Sequence, residues 1–185
     1  EDGRVLTFAI VPQQSASKLA KKWAPVLKYL SEKTGYRLKF KTARDIPVFE
    51  QRLAEAEYDF AYMNPYHYTV FHDSASYQAM AKAKDKMIKG IMVVKKDSPI
   101  KTLEELQGKT LAFPSPAAFA ASILTRAELM RRGITFEPKY VSSHDSVYRN
   151  VAGGRMSAGG GVGRTFNNTD AKVRENLRVL WTTEG

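Results

Sequence analysis

The sequence predicts an α/β chain built as two lobes. Two observations carry this. Short apolar runs alternate with segments whose apolar residues recur every three or four positions. That alternation restarts near Ile88, so the chain is read as lobe 1 over residues 1–84 and lobe 2 over 85–185, joined by a crossover strand near 79–94. With 43% of its 185 residues hydrophobic, the chain can fill real cores.

The first lobe opens with Val5 to Val11, an apolar run that reads as a buried strand. Pro12-Gln13-Gln14-Ser15 is a polar turn. Leu19, Trp23, Leu27 and Leu30 then fall on one helical stripe, with Pro25 inside it as an expected kink and Gly35 as its stop. Leu38 and Phe40 alternate with basic residues and suggest a strand. Asp45 can cap a helix whose inner face holds Phe49 and Leu53. Tyr58 to Met63 reads as a strand, broken by Asn64-Pro65. The order strand, helix, strand, helix, strand argues for a parallel sheet. Ligands of open sheets sit beyond the carboxyl ends of the strands. Here those positions are the loops Pro12 to Ser17, with Gln13 as a candidate contact, and Tyr62 to Tyr68, with Tyr62 and Asn64.

In the second lobe, Ile88 to Val94 is an apolar run. Thr102-Leu103-Glu104-Glu105 reads as a capping box opening a short helix that Gly108 ends. Thr110 to Phe113 is a strand. Ser115 and Pro116 suit the cap and first position of a helix reaching Arg132, stopped by Gly133. Phe136 to Val141 is a strand, and Ser143 caps a helix through Val151 that Gly153-Gly154 ends. Ala158 to Val162 reads as a strand under close packing, Asn167 to Asn176 as helical, and Leu177 to Trp181 as a last strand. A two-lobed clamp needs its chain to cross back. The sequence ends at Gly185 with no return helix, which reads as a piece of a longer protein lacking its C-terminal return segment.

Composition narrows the function classes. No stretch approaches the roughly 20 apolar residues that cross a bilayer, so no direct membrane insertion is expected. The start at Glu1-Asp2-Gly3 carries no signal peptide; a processed export product or a trimmed chain would begin this way. With no cysteine, disulfides and thiolate chemistry are excluded. The net charge of +10 favours acidic partners, but the lysines are scattered and no basic run interleaves with aromatics, so no nucleic-acid partner is expected.

The chemistry-bearing residues do not make an enzyme. His67, His72 and His144 bring no metal-ligand cluster. There is no Gly-x-Ser-x-Gly elbow. Gly159-Gly160-Gly161-Val162-Gly163 lacks the Lys-Ser/Thr of a phosphate loop, and close sheet packing explains it better. No catalytic residue, metal or cofactor is expected. The stretch Phe113 to Ser122 places small side chains at a helix start, where free amides and the positive dipole end suit an oxyanion. Its plainer reading is a buried helix packed through alanines.

An ordered set of segments resembles the phosphonate/phosphate-type substrate-binding proteins of ABC transporters. It comprises Trp23 to Leu30, Tyr58-Asp59-Phe60-Ala61-Tyr62-Met63-Asn64-Pro65, Val93 to Ile100, Leu103 to Lys109, Leu111 to Ser115 and Ser143-His144-Asp145. The resemblance implies a two-lobed type II periplasmic-binding-protein (Venus flytrap) fold. It also implies a small anionic ligand captured between the lobes, an ABC permease as partner, and a periplasmic or extracellular place, with membrane anchoring open. Carried over by position, the ligand meets Tyr62 and Asn64, the helix start Ala118, Phe119, Ala120, Ala121 and Ser122, and His144. Arg164 stands where similar phosphonate binders place an acidic residue facing the substrate's amine.

This chain departs from the family where the helix start usually reads Ser-Thr-Ser-Gly; only Ser122 keeps a hydroxyl here. The anion would then rely on backbone amides, His144 and Arg164, whose guanidinium can grip an oxyanion with two parallel hydrogen bonds. Plainer roles exist: a turn residue for His144, a core aromatic for Tyr62, a surface ion pair for Arg164. A ligand-sensing extracellular domain of a signalling protein, and a transferase-type enzyme on the same fold, are the competing functions.

Overall fold

The computed structural model describes residues 4–184; the start at Glu1-Asp2-Gly3 and the end at Gly185 lie outside them. The chain divides into two compact units, residues 1–82 and 83–185.

The first unit is built on a three-stranded sheet of order β2-β1-β3, with β1 at Val5–Ile10, β2 at Arg37–Lys41 and β3 at Phe60–Tyr62. Both pairings are parallel; Phe8 is level with Phe40 and Phe60, and Ile10 with Tyr62. These side chains share one face because paired residues of a parallel ladder point the same way. Helix α1 (Ala16–Thr34) covers that face. Its Trp23 ring lies 5.7 Å from Phe8 and 4.9 Å from Tyr62. The Ser15 hydroxyl caps α1 by accepting from the Lys18 amide. Gly35 closes it at φ 73°, a left-handed turn that a side chain would resist. The helix passes through Pro25 unbroken.

Helix α2 (Ile46–Ala54) starts on the Asp45 carboxylate, which accepts from the Val48 amide at 2.9 Å. It buries Ile46, Phe49 and Leu53. Helix α3 (Pro65–Ala75) starts on Asn64, whose Oδ1 accepts from the His67 amide at 2.8 Å. Strand β3 is shorter than the run Tyr58 to Met63, because only Phe60–Tyr62 has a ladder partner in β1.

The second unit holds a five-stranded sheet of order β6-β5-β7-β4-β8. Its strands are β4 (Gly90–Lys95), β5 (Thr110–Phe113), β6 (Glu137–Tyr140), β7 (Ala158–Val162) and β8 (Leu177–Thr182). β5 runs parallel to β6 and β7, while β4 runs antiparallel to β7 and β8. The sheet is therefore mixed, unlike that of the first unit. Core residues line both faces: Met92, Val94, Leu111, Phe113 and Leu129 on one side, Ile91, Val93, Val147, Tyr148 and Val151 on the other. Sandwiching on both faces explains why β4 reads as an unbroken apolar run.

Several expected elements differ. The crossover strand over 79–94 is confined to Gly90–Lys95, because 78–89 is exposed and has no ladder partner. The expected capping box yields one 3₁₀ turn at Glu104–Leu106, with Glu105 accepting from the Lys101 and Thr102 amides. Ser115 and Pro116 do not open a helix. A tight turn there closes through the Ala118 amide to the Ser115 carbonyl, Ala118 turns extended, and a π-helical turn begins at Phe119–Leu124. It continues as α4 (Thr125–Arg131). The expected helix over Asn167 to Asn176 is confined to α7 (Ala171–Arg174), started by Asp170 capping the Lys172 amide, and a separate short helix, α6 (Gly163–Asn167), follows directly on β7 before it. Between β6 and β7 runs α5 (His144–Ala152), capped by Ser143 as its sequence suggests.

Candidate functional site

In the second unit, β6, β5 and β7 are neighbours and run parallel, so their carboxyl ends share one sheet edge. Each leads into one of the candidate segments. β5 leads through Pro114–Ala117 to the π turn, β6 leads to the start of α5 and His144, and β7 leads directly into α6 and Arg164. The topology thus places Ala118–Ser122, His144 and Arg164 at one edge.

The π turn is seated closely on the sheet. A Cβ at Gly160 would lie 2.0 Å from the Ala121 carbonyl oxygen, and one at Gly90 2.1 Å from that of Ala120. Glycine on β7 and β4 is what lets the turn lie down there. This packing fixes where the helix begins and overrides the capping preference of Ser115. The first intrahelical bonds are those from the Ser122 and Ile123 amides to the Ala118 carbonyl. The amides of Phe119, Ala120 and Ala121 belong to the opening turn, whose donors have no acceptor within the helix. π turns often sit at functional sites. Ala118, Ala120, Ala121 and Ser122 are buried and Phe119 is half-buried. The Ser122 hydroxyl, fully buried, has no hydrogen-bond partner among the described residues. The Thr125 hydroxyl returns to the Ala121 carbonyl at 2.7 Å and secures the end of the turn.

His144 is the first residue of α5 and is buried, with 1% of its surface exposed. Arg164 is exposed in α6. The opposite face of β7 packs on α5: a Cβ at Gly159 would meet Val147 at 2.4 Å, and one at Gly161 the Tyr148 hydroxyl at 2.3 Å. The glycine run therefore seats the π turn on one side and α5 on the other.

In the first unit, the ends of β1 and β3 adjoin, with the Val11 amide donating to the Tyr62 carbonyl at 3.0 Å. Gln13, Tyr62 and Asn64 therefore share a sheet edge. Tyr62 is half-buried against Trp23, and Asn64 is buried with its Oδ1 engaged in capping α3. Gln13 is half-buried; its neighbour Gln14 is the buried one, its Oε1 accepting from Lys22 and its Nε2 without a partner among the described residues. Sequence reasoning missed Gln14 because residues beyond a strand's end carry no inside–outside alternation. It also missed Ser115, whose buried hydroxyl has no partner among the described residues. A serine between two prolines was the available signal. His67, wholly buried, sets its Nε2 2.9 Å from Glu50 Oε1. Among the described residues no three His, Asp or Glu side chains gather as a metal would require. No helix there is long and apolar enough to cross a membrane.

Comparison with known proteins places the chain. The phosphate-import protein PhnD of Mycolicibacterium smegmatis is 23% identical over an alignment of 173 positions, covering 83% of this chain and 54% of that protein. The chain thus spans about half the length of this curated relative. The crystal structure of a binding-protein component of an ABC phosphonate transporter from Pseudomonas aeruginosa superposes with a TM-score of 0.84 at 20% identity, over 98% of this chain and 65% of that one. PhnD1 from Prochlorococcus marinus, in complex with methylphosphonate, does so with a TM-score of 0.87 at 19% identity, over 97% and 72%. These likenesses show the type II periplasmic-binding-protein fold. The family model for the periplasmic phosphonate substrate-binding protein of ABC transporters matches residues 8–185, and the chain belongs to that family.

Proposed function

We propose that this chain captures a small oxyanion, a phosphonate, phosphate or related anion, for delivery to the permease of an ABC uptake transporter. The observation that carries this reading is the shared carboxyl edge of β6, β5 and β7. It supplies the opening amides of the π turn, the N-terminus of α5 with His144, and the cation of Arg164. Helix starts attract anions through free amides and the positive end of the dipole. The names of the Mycolicibacterium relative and of the methylphosphonate complex support the same class. In the first unit, Gln13, Tyr62 and Asn64 are the residues assigned to the ligand.

The alanines at 118, 120 and 121 give the anion few hydroxyl partners. Recognition then rests on backbone amides, His144 and Arg164, which bind an oxyanion through its charge and geometry.

A thermal-shift screen against phosphate, phosphite, sulfate, methylphosphonate, an aminoalkylphosphonate and acetate tests the reading. A ligand at one hundred times its dissociation constant stabilises the folded chain by ~2.7 kcal/mol. An upward shift confined to tetrahedral oxyanions is expected. A shift with acetate alone, or with none of them in the full-length protein, overturns the reading.

A further inference from the structure

We infer that Tyr148 is a positioning residue for Arg164: its buried hydroxyl fixes the turn from which Arg164 meets the oxyanion. The inference rests on the oxyanion reading above. Tyr148 lies on α5, one helical turn after His144, and is fully buried. Its hydroxyl oxygen is 3.2 Å from the Val162 amide, 2.6 Å from Thr165 Oγ1 and 3.2 Å from the Val162 carbonyl. Thr165, also buried, sets its hydroxyl 2.9 Å from that same carbonyl.

A phenol has one proton to donate and lone pairs to accept. One assignment uses every proton once and keeps the shorter contacts. The Val162 amide donates to Tyr148, Tyr148 donates to Thr165, and Thr165 donates to the Val162 carbonyl. The cycle closes around residues 162–165, and Arg164 lies inside the closed segment.

Three further features hold this arrangement. Gly161 leaves room for the phenol, since a Cβ there would stand 2.3 Å from the hydroxyl. Phe166 packs its ring edge-on against Tyr148 at 5.5 Å. One turn earlier on α5, Asp145 accepts from the Thr169 hydroxyl at 3.3 Å. Burial pushes the Tyr148 phenol far above its ordinary range, so it keeps its proton and the cycle stays intact. One helix thus holds His144 at its start and, through Tyr148, sets the backbone that carries Arg164. Chains of buried hydrogen bonds of this kind rigidify what they join.

The test is a double-mutant cycle on phosphate and methylphosphonate affinity in the full chain, read by calorimetry. The variants are Tyr148→Phe, Arg164→Ala and the two combined, with circular dichroism as the check on folding. Tyr148→Phe is expected to weaken binding about tenfold, and to add nothing once Arg164 is gone. If Tyr148→Phe does not fold, Thr165→Val breaks the same cycle with the ring retained and is read the same way. Additive losses, or an unchanged affinity in Tyr148→Phe, overturn the positioning role while wild-type binding leaves the oxyanion reading standing. A wild type that binds neither anion overturns both.

Discussion

Gly160 faces the carbonyl oxygen of Ala121 so closely that a methyl group added there would lie 2.0 Å from it and 2.7 Å from the Phe113 ring. The backbone oxygen cannot swing aside as a flexible side chain would. Gly160→Ala must therefore move the π turn or the strand. Overpacking of this kind destabilises by about 1–3 kcal/mol. Urea unfolding should show that loss for Gly160→Ala and for Gly90→Ala. Gly163→Ala is the control, because nothing lies within 4 Å of a Cβ there; its midpoint should stay close to wild type.

Ser122 separates binding from stability. Its hydroxyl is fully buried with no partner among the described residues. Removing an unsatisfied polar group is close to neutral or stabilising. Ser122→Ala should keep or raise the melting temperature while weakening oxyanion affinity several-fold. An affinity equal to wild type by calorimetry would remove the hydroxyl from the site. His144→Ala should likewise weaken binding in a chain that still folds.

Asp59 ties the start of β3 to the middle of β1. Its carboxylate accepts from the Thr7 amide and the Thr7 hydroxyl, both at 2.8 Å, and its own amide donates to Thr7 Oγ1 at 2.9 Å. The bond from the Thr7 amide, then that from the Thr7 hydroxyl, holds the Asp59 carboxyl below its ordinary range. Asp59→Ala should destabilise the first unit by about 1–2 kcal/mol, because its two hydrogen bonds to a charged group are solvent-exposed and so worth less than buried ones. Chemical denaturation checks this, with Thr7→Val as the partner substitution expected to behave in the same direction.

Acid should loosen the second unit through Glu128. Hydrogen bonds from Arg131 and Arg132, at 2.6–2.9 Å, hold its carboxyl down from 4.5 to about 2. A carboxylate depressed on folding stabilises fully above its unfolded value, and that contribution fades as pH falls through the folded value. Glu104, Glu105 and Glu137 are lowered too, and act in the same sense. Melting temperature should therefore fall between pH 4.5 and pH 2. Glu128→Gln should flatten part of that slope, because it lowers the melting temperature above pH 4.5, where the carboxylate contributes, and changes it little near pH 2.

Local signals were readable wherever one residue does one job. Asp45 and Ser143 cap the helices that their positions announce, and Gly35 ends α1. The alternation of strand and helix gave the parallel order of the first sheet. The direction of β4 was not readable, because a strand buried on both faces has no alternation to orient it. The start at Phe119 was not readable either. Ser115-Pro116 is a good local cap, and the close seating of Ala120 on Gly90 and of Ala121 on Gly160, 30 and 39 residues apart, displaces it. Of the candidate site, the segments were legible from ordered motifs. The distinction between Gln13 and Gln14 was not, nor was the link of Tyr148 to Val162 and Thr165, which joins residues 14 and 17 positions apart.

The exposed tract before β4 carries Lys82, Lys84, Lys86 and Lys89 in backbone without a ladder partner, and Met80 and Met87 lie open beside them. Proteases that cut after lysine need such extended, accessible backbone. Limited trypsin treatment should nick the chain there before anywhere else. A cut at Lys82, Lys84, Lys86 or Lys89 severs no ladder, because the order β2-β1-β3 lies wholly before it and β6-β5-β7-β4-β8 wholly after it. The tract is thus a natural scission point, at which the polypeptide can be opened into two fragments that each keep their sheet whole.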